Sequence, residues 1–118
     1  MRTLIYAISI FCMSSTLALA CSTHSTFYFE NKNAKVKSSH ICPKGELPFH
    51  SHQHPRVIVS DRDGELDVVY ESGRTDKIIL KKGIPVYLDT KQGLEPHKDI
   101  NPGAHLLNIT VVELMSAQ

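Results

Sequence analysis

An all-β domain is what this 118-residue sequence predicts. Three observations point there. Short segments rich in β-branched and aromatic residues recur along the chain, each closed by a turn signal. No segment after residue 20 has the apolar spacing of an amphipathic helix. Strands this short, at this regular spacing, close into a sandwich or a barrel.

The elements follow in order. Ser25 to Glu30 and Lys35 to Ile41 read as the first two strands. Pro43, Lys44, Gly45 and Pro48 mark a loop. Then come three histidines at alternate positions, His50, His52 and His54. In an extended strand all three would leave the same face. Arg56 to Ser60 is a short apolar strand, and Asp63-Gly64 reads as a hairpin turn. Glu65 to Glu71 follows, with Leu66, Val68 and Tyr70 on one face. Ser72-Gly73 turns the chain into Asp76 to Lys81, which Lys82-Gly83 closes. Pro85 to Leu88 is a short strand with proline at its entry, where a missing N–H is tolerated. Asn101-Pro102-Gly103 is a turn, and His105 to Leu114 is the longest strand.

Residues 1–20 have the order of an export signal. Arg2 is the positive start, Leu4 to Met13 the apolar run, and Ala18-Leu19-Ala20 the small-residue cleavage site. The run is shorter than the roughly 20 residues a membrane span needs, and no transmembrane helix is expected after it. The expected destination is the periplasm or the exterior. Losing Arg2 from thirteen basic residues balances the twelve acidic ones. No basic patch calls for nucleic acid. Cys21 and Cys42 stay with the exported part, and two readings of them stand. A disulfide would tie the N-terminus to the domain, worth about 3 kcal/mol by loop entropy. Alternatively Cys21 is the lipidated first residue of a lipid-anchored protein.

Imidazole is the commonest protein ligand for transition metals, so the alternate histidines are the first candidate site. His97 lies far along the chain, four residues before Asn101. Here the sequence resembles the cupin family, small β-barrels of jelly-roll type with two motifs. The first motif is a His-x-His pair, then a Glu, then a turn Gly; His50, His52 and Gly64 are spaced for it. The second is a His followed four positions later by Asn, as in His97 and Asn101. Lys82-Gly83 and the closing strand Val111 to Leu114 are also similar. The resemblance spans His50 to Leu114 and implies a cupin-like β-barrel over residues 45–118, preceded by N-terminal strands over 21–44.

The resemblance implies a metal held by His50, His52 and His97, with His54 as an extra nitrogen. Yet i and i+4 on a strand are about 13 Å apart, so His50 and His54 cannot both reach one ion without a bend. The family's carboxylate ligand falls at Val57, or at Arg56 on a shorter spacing. Neither can serve. Three imidazoles without a carboxylate suit Zn, Fe, Cu or Ni better than hard, oxygen-loving ions. Glu113 is a candidate partner for Arg56, and Arg56 a candidate contact for an acidic ligand. His24, His40 and His105 read as isolated. Asp61, Asp63 and Glu65 cluster at the expected turn, which leaves no well-placed general base.

Three functions remain open: a metal-dependent enzyme acting on a small molecule, a non-catalytic metal-binding or small-ligand module, and a cupin that has lost its metal. The resemblance also allows a homodimer.

Overall fold

The structure is a computed structural model that describes residues 8–10 and 20–116. The expected export signal lies almost wholly outside the described residues. The chain runs through β1 (His24–Glu30), β2 (Ala34–Ile41), β3 (Arg56–Ser60), β4 (Gly64–Tyr70), β5 (Thr75–Leu80) and β6 (Val86–Leu88). Helix α1 (Thr90–Leu94), β7 (His97–Ile100) and β8 (Leu107–Leu114) complete it. Five strands form one sheet in the order β1-β2-β8-β3-β6, and three form a second in the order β5-β4-β7. Every pairing is antiparallel. Two antiparallel sheets enclosing one core make the jelly-roll barrel expected of the sequence.

Period-two alternation places the core. In β4, Leu66, Val68 and Tyr70 are buried while Glu65, Asp67 and Val69 are only partly covered. Ile41, Ile58, Leu66, Leu80, Leu107, Ile109 and Val111 pack into one cluster drawn from both sheets. Asn101 is buried between them. Its side-chain amide donates to the carbonyls of Ile41, Cys42 and His105, and its Oδ1 accepts from Gly103 N. One asparagine thus satisfies three carbonyls that would otherwise be stranded near the core.

Several expectations need correction. Asp63-Gly64 is not a hairpin turn, because β3 and β4 lie in different sheets. It carries the chain across the barrel. Gly64 is needed there for space, since a Cβ would sit 2.9 Å from Leu107 Cδ2. The histidine triplet is not one strand. His50 makes a single bridge to His97, and the chain bends at Gln53–His54. Residues 90–94 form a five-residue helix, capped by the Asp89 side chain accepting from Gln92 N at 2.8 Å. A helix this short is too brief to show a periodicity. β2, from residues 21–44, lies between β1 and β8 within one sheet.

Cys21 and Cys42 are joined in a disulfide, with Cα atoms 5.9 Å apart. It fastens the chain just before β1 to the end of β2. His24 and His40 face each other across β1 and β2 and stack at 4.7 Å, so they are neighbours rather than isolated. No helix among the described residues is long and apolar enough to cross a membrane.

Candidate metal centre

Backbone pairing brings distant histidines together. His50 N donates to the His97 carbonyl and His97 N to the His50 carbonyl, both at 2.9 Å. His52 N donates to the Gly93 carbonyl at 2.8 Å, which ties the same loop to α1. The outcome is a group of three imidazoles, His50, His52 and His97, with one ring nitrogen of each within 4.8 Å of the others. His54, beyond the bend, is not brought into this group.

Each ring is oriented by an oxygen. His50 Nδ1–H donates to the Pro48 carbonyl at 2.7 Å, and His97 Nδ1–H donates to the Glu95 carbonyl at 2.8 Å. A carbonyl can only accept, so these nitrogens carry the protons. His52 Nδ1–H donates to Glu113 Oε1 at 2.8 Å. Nε2 of His52 and His97 is therefore left to present a lone pair, and so is Nε2 of His50 when its ring is neutral. This is the arrangement metal-binding histidines adopt, with the far nitrogen held by a carboxylate or carbonyl.

Electrostatics keeps two rings neutral. Burial, then the neighbouring Arg56 charge, pushes His52 down to about 3. Burial also lowers His97. His50 differs: burial lowers it, but hydrogen bonds to Asp99 and to the Pro48 carbonyl outweigh that and raise it. Its Nε2 lies 3.3 Å from Asp99 Oδ2. Asp99 is held below the usual carboxylate range, because the His50 contact and the other two imidazoles outweigh the burial that would raise it.

A cavity of about 240 Å³ opens beside the imidazoles. Its wall is largely apolar, with Ile41, Leu47, Ile58, Leu66 and Leu88 among its residues, and its polar side carries His50, His52, Arg56 and Asp99.

No family model matches the sequence, and no curated protein is significantly similar to it. Solved structures do match. A cupin domain from Bordetella pertussis Tohama I superposes with a TM-score of 0.67 at 25% identity, covering 78% of this chain and 92% of that one. An RmlC-like cupin protein from Desulfovibrio desulfuricans gives 0.53 at 20% identity, covering 86% and 96%. An RmlC-like cupin family protein of double-stranded β-helix fold from Methanocaldococcus jannaschii gives 0.61 at 14% identity, covering 95% and 93%.

The chain has the cupin fold.

Within that fold it departs from the expected pattern at the carboxylate. Arg56 and Ile58 face the cavity from β3, so Val57 between them faces the other way. The inward position is thus occupied by a cation. Nor does Arg56 pair with Glu113, which is engaged by His52. Arg56 Nη2 donates to Gln92 Oε1, while the buried Nη1 has no partner among the described residues. Nη1 packs against Gly93, where a Cβ would overlap it.

Two parts of this site are not legible in the sequence. Gln92 sits on a helix too short to detect. Asp99 lies two residues after His97, and only recognition of β7 as a strand would have put both on one face.

Proposed function

We propose that this cupin is an exported protein that binds one divalent transition metal through Nε2 of His50, His52 and His97, and holds a small molecule beside it. One observation carries the reading: every Nδ1 of the three rings donates to an oxygen, which turns three lone pairs to one place. Neutral His52 and His97 need shed no proton to act as ligands. Three imidazoles suit Zn, Fe, Cu or Ni. A bound ion of this kind supplies Lewis acidity toward an oxygen of the small molecule.

The chain's own residues do the rest. Glu113 and the two carbonyls fix the rings. The apolar wall excludes water from the body of a ligand, and Arg56 places a buried positive charge at the polar side. The cavity of about 240 Å³ is smaller than the pockets that take drug-sized molecules, which favours a small metabolite.

The test is the metal content of untagged protein purified from its own compartment. About one equivalent, lost in His97→Ala, is expected. Substoichiometric metal that His97→Ala does not lower overturns the reading. A second reading, a small-ligand module without metal, is favoured by Arg56. A buried guanidinium with an N–H unpartnered among the described residues, in the place of the metal-binding carboxylate, suits an anionic ligand. Tight binding of a small carboxylate by chelator-treated protein, lost in Arg56→Met, would support it.

A further inference from the structure

We propose that Asp99 is the fourth protein ligand of the ion and supplies the carboxylate that position 57 lacks; this rests on the three-histidine reading above. Asp99 follows His97 by two residues on β7, so both side chains leave the same face of the strand. Its side chain is 15% exposed and forms part of the cavity wall with His50 and His52. Its Oδ2 stands 3.3 Å from His50 Nε2.

That distance is the separation of two neighbouring ligands on one ion. With bonds of about 2.1 Å, adjacent ligands lie about 3.4 Å apart in a tetrahedron and about 3.0 Å apart at a right angle. The Pro48 carbonyl already takes the Nδ1 proton of His50. With a second proton on Nε2 the contact is an ion pair. A metal ion in place of that proton would be shared by Nε2 and Oδ2.

The other acids near the group are committed elsewhere. Glu113 accepts from the far side of His52, and Glu46 is exposed beside Lys98. In the present arrangement Asp99 faces His50, just outside the compact group of three nitrogens. Ligation requires it to turn about its own two side-chain torsions. A carboxylate adds a hard oxygen donor, which widens the choice of ion toward Fe²⁺ and Mn²⁺.

The experiment titrates Co²⁺ into the full, untagged chain after chelator treatment, followed by visible absorption and by calorimetry. Wild type and Asp99→Glu should bind one equivalent, and His97→Ala none. Asp99→Asn should bind at least ~10-fold more weakly, with a changed Co²⁺ spectrum. Wild-type affinity and spectrum in Asp99→Asn would overturn the proposal and leave the three-histidine site standing. Weaker binding with an unchanged spectrum would also overturn it, because Asp99 would then only steady His50. No binding by wild type would remove the three-histidine reading itself. If circular dichroism shows Asp99→Asn unfolded, Asp99→Ser carries the same comparison.

Discussion

Lowering the pH of the metal-free protein from 7 to 5 should weaken it by about 2 kcal/mol through His52 alone. The ring is 7% exposed and held at about 3 in the folded chain, against 6.5 for the free side chain. Below pH 6.5 the unfolded chain takes up a proton that folded His52 refuses. Stability is therefore present above 6.5 and lost as the pH falls, at about 1.4 kcal/mol per unit, so roughly 1.5 units cost about 2 kcal/mol. His97 is lowered too and adds to the loss. His50 is raised, so its contribution is complete below 6.5 and disappears as the pH climbs through its folded value. It therefore offsets part of the loss as the pH falls from 7 toward 6.5 and adds nothing further below that. The assay is urea unfolding in chelator at pH 7, 6 and 5, for wild type and His52→Gln. Glutamine keeps a donor for Glu113 and does not titrate. The stability difference between the two should change by about 2 kcal/mol over the range. A difference constant to within about 0.5 kcal/mol would refute the reasoning. It would mean that folded His52 takes up its proton as readily as the unfolded chain does, with Glu113, 2.8 Å away, balancing the burial.

Three further outcomes are expected. Glu113→Ala leaves His52 Nδ1–H buried without an acceptor, so the metal-free protein should lose about 1–3 kcal/mol and metal affinity should fall by about 10–100-fold; urea unfolding and chelator competition measure the two. Reducing the Cys21–Cys42 bridge reopens a loop with a sequence separation of 21, so the urea midpoint should fall by the equivalent of about 3 kcal/mol. An unchanged midpoint under reductant would show that the bridge does not constrain the chain. Gly93→Ala puts a methyl group 2.9 Å from His52 Cβ and into Arg56 Nη1, which should cost about 1–3 kcal/mol and displace α1; a fully stable variant would show that α1 has room to move.

What could be read from sequence follows the strength of each local signal. β3 matches its expected bounds, and β2, β4, β5 and β8 match to within one or two residues, because alternation and turn residues agree there. β7 escaped notice. Only four residues long, it reads His-Lys-Asp-Ile, with no alternation of apolar and polar side chains. Its pairing with β4 makes it a strand. The resemblance to the cupin motifs picks out His50, His52 and His97, but the alternate spacing reads the triplet as extended. The bend at Gln53–His54 that separates His54 lies between backbone bonds from His52 to Gly93 and from Leu114 to Pro55, pairings no local pattern encodes. Glu113 was noticed for its charge and matched to Arg56, its cross-strand neighbour. The choice between Arg56 and His52 depends on side-chain direction in three dimensions.

The most direct measurement of the metal centre is an anomalous difference map, recorded above and below the absorption edge of the metal that copurifies. A single peak at about 2.1 Å from Nε2 of His50, His52 and His97 is the expected result. No peak among the three rings, or a peak bound through Nδ1 with the Pro48, Glu95 and Glu113 contacts broken, would contradict it.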